Sequence, residues 1–589
     1  MSDVVERVGR FVRLPAKIGW RDHVVGGALG LAYVVWLLAT ARSLGFPRDE
    51  GFYFRAGTQY AGWFHMLFER PHDALLRANV DAMWGYNHEH PALMKGLFAL
   101  SWMFFHEKWK LFADASTAFR LPAMCMAGMA LWVTYLFGAR AYSRRAGVIA
   151  AVLFALMPRV FFNAHLACFD IPIAAMWTLC IYVYWRSLVR GGIGWAIAAG
   201  VVYGLTLETK HNAWILPFVF VPHALFVHRH TMWRQLRVGR LPLPASLVAM
   251  ATLGPLVFYV CWPWMWNDTL PRVQEYLNFH LNHEYYNMEF LGRNYFGPPS
   301  PRAYMPVMIL ATVPTVTLVL FAIGAFDRAA IGARRLIAWT RALASRGPSA
   351  DAANAPDASD DATPAPVRDR AETDLLFALA ICAALGPFLL PKTPIFGGTK
   401  HWLTAYPFLA LFAGRGFDLI ARKLTIALAA TRAATDRRVR LAANVALVAS
   451  VLAAPLAITV HSHPFGLTSY VPIVGGAPGA ADLGLNRQFW GFTTQSANEW
   501  LGPNAPRGAT VFIHDTAWDS WARMIDEKRV RPDLRGVGSP SEAQIALVQH
   551  ELHMSEVDDQ IWMAFDTDAP SYVVTHDGVP VVSVYKRAD

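Results

Sequence analysis

The stretch VVGGALGLAYVVWLLATA, residues 24–41, carries no charged side chain over 18 consecutive positions. A helix rises about 1.5 Å per residue and a hydrocarbon core is roughly 30 Å thick, so this segment is long enough to cross a membrane. The whole chain of 589 residues is 54% hydrophobic and only 16% charged. This composition excludes an ordinary water-soluble fold and predicts an integral membrane protein.

Further apolar segments continue to about residue 460 and are separated by charged or Pro/Gly-rich loops. They lie at 118–138, 147–162, 171–187, 193–207, 213–227, 243–262, 303–323, 374–390, 402–420 and 441–460. Together with residues 24–41 they predict a polytopic α-helical membrane region, 24–460, of about eleven spans.

Lysine and arginine are concentrated in alternate loops, and loops rich in these residues stay on the cytoplasmic side. This pattern predicts a multi-pass protein of the plasma (inner) membrane with a cytoplasmic N-terminus, residues 1–23, and an outer loop at 44–117. The net charge of +10 follows from the same asymmetry and therefore indicates no nucleic-acid partner. Residues 345–370, rich in Ala, Pro, Asp and Ser, predict a disordered cytoplasmic linker.

Residues 461–589 have a different pattern. The segments GATVFIHD, AQIALVQH, SYVVTHDG and VPVVSVYK are typical of strands, and TAWDSWARMIDEK and SEVDDQIWMAFD are typical of amphipathic helices. We therefore expect a small C-terminal α/β domain, and an odd number of spans before it places this domain on the extracytoplasmic side.

Polar side chains collect in the predicted outer loops. Asp49 and Glu50, in FPRDEGFYFRAG (46–57), follow the first apolar run directly. The same loop continues with GYNHEHPALMKGLFAL (85–100), and later loops add further cations. The candidate residues are Asp49, Glu50, Glu89, His90, Lys95, Lys210, Arg293, Lys400 and His401.

Acids and cations gathered at one membrane face suit a lipid-linked phosphate substrate. Cations neutralise phosphate oxygens, and a carboxylate can take the proton from an attacking hydroxyl or hold a divalent metal. Plainer explanations exist for single residues. Asp49 and Glu50 can be a solvated loop start, Lys210 and Lys400 can snorkel, and Asp170 can cap the next helix. The functional interpretation rests on their joint position.

Several motifs resemble those of a known family. RDEGFYFRAG resembles the D-E-x-x-Y loop, and HEHPALMKGLFAL the H-P-P-L-x-K element, of the polyprenyl-phosphate-sugar-dependent membrane glycosyltransferases. That family includes the protein O-mannosyltransferases and the lipid A aminoarabinose transferases. ETKHNAWILP and KHWLTAYPFLALFAG are similar to its T-K-G segment and its late R-Y-x-x-x-x-P-x-L-A-L helix. The resemblance implies a GT-C fold, with the catalytic site in the first outer loop.

The resemblance also implies roles for the candidate residues. Asp49 takes the position of the catalytic or metal-holding acid, Glu50 that of its acidic neighbour and Glu89 that of a further acid. A divalent metal, if one is used, would be held by Asp49 and Glu89. The residues expected to bind the donor phosphate are His90, Lys95, Lys210, Arg293, Lys400 and His401.

The function expected from both arguments is glycosyl transfer with inversion. The donor is a polyprenyl-phosphate sugar, and the acceptor is a hydroxyl of a protein, a lipid or an envelope glycan. Two other classes stay open: a transporter or flippase, and a non-catalytic membrane scaffold with an outer binding domain. Charge gathers in loops on one side instead of midway along the spans, which favours the enzyme.

Overall fold

The computed structural model describes residues 18–237, 243–345, 370–395, 397–429 and 437–588. The predicted linker at 345–370, apart from its two end residues, and most of the predicted cytoplasmic N-terminus at 1–23 lie outside these residues. Helices dominate the part before residue 463. They are Trp20–Thr40, Arg48–Glu69, Pro71–Ala74, Arg77–Trp84, Leu93–Ser101, Ala115–Ala141, Arg144–Ala155, Pro158–Ala164, Asp170–Arg190, Ile193–Leu207, Pro217–Arg237, Ala245–Cys261, Thr269–Leu281, Tyr304–Thr312, Thr315–Ser345, Arg370–Leu385, Tyr406–Ala429 and Arg437–Ser462.

Five helices among the described residues are long and apolar enough to cross a membrane, and a bent pair adds a sixth candidate. They are Trp20–Ser43, Ala115–Ala141, Thr315–Arg334, Glu372–Leu389, Arg438–Ser462 and the pair Arg144–Ala155 with Pro158–Ala164, which is bent by 72°. These helices identify a membrane protein. The predicted count of about eleven spans is not confirmed.

The difference in span number has a physical reason. Some predicted spans form apolar helices that are shorter than a membrane crossing, such as Ile193–Leu207 and Ala245–Cys261. Another, Asp170–Arg190, is buried along most of its length inside the protein. An apolar sequence pattern is the same whether its side chains face lipid or other helices, so the pattern alone does not separate these cases.

Glycines allow the first membrane helix to pack closely on the helix Ala115–Ala141. A Cβ atom added to Gly30 would lie 2.5 Å from the carbonyl oxygen of Gly128, and one added to Gly128 would lie 2.8 Å from that of Gly30. Close approach of two helix backbones is common in membranes, where small residues at the interface allow the van der Waals packing that drives helix association. This contact fixes the helix that leads into the loop containing Asp49.

A five-stranded sheet forms near the C-terminus. Its strands are β3 (Thr510–Ile513), β4 (Arg535–Val537), β5 (Ile545–Gln549), β6 (Tyr572–His576) and β7 (Val579–Lys586). The order is β4-β3-β5-β7-β6; β3 runs parallel to β4 and β5, whereas β7 is antiparallel to β5 and β6. The helices of this part are Gly476–Asp482, Asn498–Asn504, Trp518–Asp526 and Ser555–Phe565.

The four segments with strand patterns form β3, β5, β6 and β7, and the two amphipathic segments form helices. Strand β4 has three residues and was not predicted, because so short a segment shows no periodicity. A hairpin of β1 (Met288–Phe290) and β2 (Arg293–Tyr295) in the long loop before helix Tyr304–Thr312 was not predicted either.

The C-terminal part packs directly on the loop and helix that carry Asp49. A Cβ atom on Gly51 would lie 2.7 Å from the Ser520 hydroxyl, and one on Gly45 would lie 2.1 Å from the Phe492 carbonyl oxygen. The Arg529 guanidinium donates to the carbonyl of Leu44 at 3.2 Å. Close backbone approach at two glycines therefore holds the sheet region against the start of helix Arg48–Glu69.

Candidate active site

The two adjacent acids lie in the first turn of helix Arg48–Glu69, which begins directly after Pro47. Carboxylates are favourable there because the first turn of a helix has a positive partial charge. Successive residues on a helix are rotated by about 100°, so Asp49 and Glu50 point in different directions. They consequently have different partners.

Glu50 is fully buried in an ion pair with Arg120. Its two oxygens accept from Nε at 2.8 Å and from Nη2 at 2.6 Å, and one of them also accepts from the backbone N–H of Ala167 at 2.7 Å. Both side chains have no exposed surface. Arg120 was not among the predicted residues, although it is the one charged residue in the apolar segment 118–138, a position at which charge is costly unless it is paired.

Asp49 instead faces a lysine that is distant in sequence. Its carboxylate lies 3.4 Å from the ammonium of Lys400, which sits 3.8 Å from the centroid of the Trp490 ring. Lys400 belongs to the 3₁₀ helix Gly398–Ala405, and Gly397 before it has a φ of 68°. A Cβ atom at Gly397 would lie 2.4 Å from Cε of Lys400, so a glycine there leaves room for the lysine.

The surroundings of Asp49 favour its ionised form. Burial opposes ionisation, but the charge of Lys400, the Trp490 indole and the charge of Arg48 outweigh it, and the pKa of Asp49 is lowered from its ordinary value. Its side chain is still 28% exposed. Asp49 is therefore an accessible carboxylate at neutral pH.

The C-terminal part contributes to this site. The backbone N–H of Arg48 donates to the Trp490 carbonyl at 2.9 Å, and its guanidinium pairs with Asp515 at 2.8 Å. Neither Trp490 nor Asp515 was predicted as a site residue. Both lie in segments without a sequence signal that links them to residues 46–57, and only the docking described above brings them there.

Tyr53 lies one helical turn after Asp49 and connects it to the second group of predicted residues. Its buried ring packs on Phe169 at 4.2 Å and on His90 at 5.9 Å, measured between centroids. Burial raises the pKa of Tyr53 well above its usual value, and the charges of Asp49, Asp170 and Glu89 add to the effect. The Tyr53 phenol therefore stays protonated.

Glu89 and His90 lie in the loop between helices Arg77–Trp84 and Leu93–Ser101, where His90 contacts Tyr53. The Glu89 carboxylate accepts a hydrogen bond from the side-chain amide of Asn87 at 2.7 Å. The backbone carbonyl oxygen of Glu89 lies 2.9 Å from a ring nitrogen of His280. Burial, followed by the charge of Lys95, lowers the pKa of His90 well below its ordinary value. His90 is therefore neutral and offers a single N–H donor.

Lys95 is buried beneath this loop. Its ammonium donates to the carbonyl of His90 at 2.9 Å and to that of Asn87. Burial lowers the pKa of Lys95 to about 7, although the charges of Glu89 and Glu208 oppose the change. The Lys95 side chain thus holds the backbone carbonyls of Asn87 and His90 close together and stabilises the loop between them.

The other predicted cations are less central. Lys210 pairs with Asp170 at 2.7 Å, and both are nearly buried. The His401 ring packs on Phe388 with a centroid separation of 5.6 Å. Arg293 is exposed on β2. The structure therefore brings Asp49 and Lys400 into contact, pairs Glu50 with Arg120 and leaves Arg293 exposed on the hairpin.

Two groups of three possible metal ligands occur in the described ranges, with ligand atoms within 4.8 Å of one another. Neither group contains Asp49 or Glu89. A divalent cation at Asp49 would also lie beside the ammonium of Lys400, a position that repulsion disfavours. The residues around Asp49 do not fit a divalent metal.

The family model of the dolichyl-phosphate-mannose-protein mannosyltransferases matches residues 99–259. The family resemblance predicted from the sequence is confirmed. No curated protein matches the chain.

Solved structures of membrane glycosyltransferases are similar over most of the chain. ArnT from Cupriavidus metallidurans, bound to undecaprenyl phosphate, shares 16% identity, with 97% of this chain and 98% of that chain covered and a TM-score of 0.43. The oligosaccharyltransferase AglB from Archaeoglobus fulgidus, in complex with an inhibitory peptide and a dolichol-phosphate, shares 10% identity, with 91% and 71% covered and a TM-score of 0.45. Its complex with Zn and sulfate shares 12% identity, with 92% and 69% covered and a TM-score of 0.44.

Proposed function

We propose that this protein is an integral membrane glycosyltransferase that moves a sugar from a polyprenyl-phosphate donor to an acceptor hydroxyl. The acceptor is a protein, a lipid or an envelope glycan. The contact of Asp49 with Lys400 beside Trp490 carries the proposal, because it joins an ionised carboxylate to a cation at the end of the first membrane helix. The family match over residues 99–259 supports the reaction class.

The proposed arrangement in the membrane is the one expected from the charge pattern. Residues 24–460 form the GT-C region, residues 44–117 form the first catalytic loop on the outer side, and residues 461–589 form an extracytoplasmic domain. The packing of Gly45 and Gly51 against the C-terminal part supports a shared side for loop and domain.

In the proposed reaction Lys400 turns from Asp49 to the donor phosphate, and Lys210 leaves Asp170 to assist it. The Asp49 carboxylate accepts the proton of the acceptor hydroxyl while the hydroxyl oxygen bonds to the anomeric carbon. The bond from that carbon to the phosphate oxygen breaks, and its electrons stay on the lipid phosphate, where the two cations balance the charge. One displacement inverts the anomeric configuration.

The remaining candidates take supporting roles in this proposal. Glu50 orients the first helical turn through Arg120, and Lys95 holds the loop that presents Glu89 and His90. His90 and His401 donate N–H groups to donor oxygens, and Arg293 meets the donor from the hairpin. Because the surroundings of Asp49 do not fit a divalent cation, no step is assigned to a metal.

The test is consumption of radiolabelled polyprenyl-phosphate sugars by the purified protein, with envelope extract as the acceptor source. Asp49→Asn should lower turnover by about 10²–10⁴-fold, the usual contribution of a general base. Glu69→Gln, an exposed acid on the same helix, is the matched control and should keep full activity.

Each other result has a defined meaning. A fully active Asp49→Asn variant would contradict the role given to Asp49. Activity that EDTA abolishes both in the wild type and in a variant without His461 would replace the base with a metal held by Asp49 and Glu89. If no donor is consumed, the transporter or flippase and the membrane scaffold become the better explanations.

A further inference from the structure

A separate cluster of three possible ligands lies where the last membrane helix meets the sheet. His461 is one residue before the end of helix Arg437–Ser462, while His576 ends β6 and Asp577 begins the turn to β7. The His461 ring nitrogen Nε2 lies 2.7 Å from Oδ1 of Asp577, and the same atom of His576 lies 3.7 Å from Oδ2. All three ligand atoms lie within 4.8 Å of one another.

His576 is incompletely satisfied in this cluster. It is 6% exposed, and its buried Nε2 atom has no hydrogen-bond partner. Its ring packs on those of Phe465 and His461, with centroids 5.4 and 5.5 Å away. A buried polar atom without a partner is costly, so a nitrogen aimed at a second imidazole and a carboxylate indicates a missing ligand.

We propose that His461, His576 and Asp577 bind a zinc-like divalent transition-metal ion. Two imidazoles and one carboxylate are a common donor set for such ions, with bonds of about 2.0–2.2 Å. Tetrahedral bonds of that length place neighbouring ligand atoms roughly 3.3 Å apart. The two ligand separations at Asp577 lie on either side of this value, and the ligand atoms of the group all lie within 4.8 Å, so small side-chain movements would form the site.

The cluster is exposed to solvent, so an ion can enter it and a water molecule can serve as the fourth ligand. The His461 side chain is 65% exposed and that of Asp577 is 35% exposed, so water can complete a four-coordinate site. The ion would fasten the β6–β7 turn to the end of the membrane helix.

The second group of three possible ligands consists of Glu289, Glu551 and His553. These three described residues contain no comparable ligand atom without a hydrogen-bond partner. The His553 ring nitrogen Nδ1 lies 3.1 Å from Oε1 of Glu289, and that oxygen also accepts from the His553 backbone N–H at 3.2 Å. Glu551 accepts from the Gln488 amide at 3.3 Å. His461 and Asp577 are also partners of each other at 2.7 Å, so the difference between the two groups is the buried nitrogen of His576, which has no hydrogen-bond partner.

The experiment measures Zn²⁺ bound to the purified full chain after chelator treatment and dialysis against Zn²⁺, by elemental analysis. We expect His461→Ala and Asp577→Asn each to lose one equivalent. His65→Ala removes an exposed histidine paired with Glu107 alone and should lose none. His553→Ala reports the second group and should also lose none.

Spectroscopy gives an independent measurement. Co²⁺ in place of Zn²⁺ should produce the strong visible absorption of a tetrahedral site in the wild type and in His65→Ala, and that absorption should be absent from His461→Ala. His461 is mostly exposed, so its replacement should leave the fold intact and tests the site without a substitution at the buried His576. A wild type that binds no Zn²⁺, or equal binding by His461→Ala and Asp577→Asn, would overturn the proposal.

Discussion

Asp49 and Glu50 are adjacent in sequence but lie in two different regions of the molecule. Glu50 points into the membrane region and is sealed by Arg120, whereas Asp49 points to the junction with the C-terminal part and stays partly exposed beside Lys400. Both are first-turn acids with the same favourable helix charge, and the rotation of about 100° between them turns each toward different partners. The partners supplied by distant segments decide which acid is structural and which is available for chemistry.

The largest expected effect comes from removing the buried charge of Glu50, and it tests the contrast between Glu50 and Asp49. Glu50→Gln leaves the Arg120 guanidinium buried without a counter-charge, which costs about 3–5 kcal/mol in folding free energy. We expect a large fall in the thermal midpoint of the detergent-solubilised protein. Glu69→Gln, exposed on the same helix, should leave that midpoint unchanged.

A double variant separates structural from chemical roles. Glu50→Leu with Arg120→Met replaces the pair by apolar side chains, which often restores stability because neither charge is left buried alone. If this variant folds and consumes donor, Glu50 has a structural role only. If it folds but is inactive while Glu69→Gln is active, Glu50 takes part in the reaction and the contrast with Asp49 is wrong.

The second prediction concerns the junction that makes Asp49 different. Gly51→Ala places a Cβ atom 2.7 Å from the Ser520 hydroxyl and 2.9 Å from its backbone nitrogen. Overpacking of this kind costs about 1–3 kcal/mol and should loosen the C-terminal part. Faster limited proteolysis after residue 463, together with reduced donor turnover, is the expected result.

Gly62→Ala is the matched control because it lies on the same helix. Its Cβ atom would meet the Met83 sulfur at 3.6 Å, an ordinary contact. Alanine also favours a helix over glycine by about 1 kcal/mol, so this variant should be as stable as the wild type or more so. Equal resistance of both variants to proteolysis would show that the close approach at Gly51 does not hold the two parts together.

The sequence predicts this site in part. Asp49 and Lys400 were both predicted, and they meet although 351 positions separate them. Trp490 and Asp515 were not predicted, because their place beside Asp49 depends on tertiary docking. No local pattern reports such docking. Arg120 could have been predicted from the sequence, because a single arginine in an apolar segment requires a buried partner.

Secondary structure was predicted better than the number of spans. Short apolar runs rich in β-branched residues predicted β3, β5, β6 and β7, and each of these runs forms a strand. Helix Asp170–Arg190 shows the limit of the same reasoning. It is apolar and helical as predicted, but protein surrounds most of it, and hydropathy does not distinguish a protein environment from a lipid one.

The smallest predicted effect concerns the acidity of Asp49. Trp490→Phe keeps an aromatic face for Lys400 but removes the indole N–H, one of the groups that lower the Asp49 pKa. The pKa of Asp49 should rise as a result. A base must be ionised, so its activity is lost as the pH falls through its pKa, and a higher pKa moves this acid limb to higher pH.

The measurement is the pH dependence of donor turnover for wild type, Trp490→Phe and Trp500→Phe. Trp500 lies on helix Asn498–Asn504, whereas the ring beside Lys400 is that of Trp490, so replacement of Trp500 should leave the profile unchanged. Above the acid limb, Trp490→Phe should stay within about tenfold of wild type, because the weaker ring contact costs about 1 kcal/mol. A uniform loss of activity without a shift of the limb would mean that Trp490 only supports Lys400. Asp49 would then owe its acidity to the lysine and to Arg48, and the C-terminal part would contribute structure to the site without tuning its base.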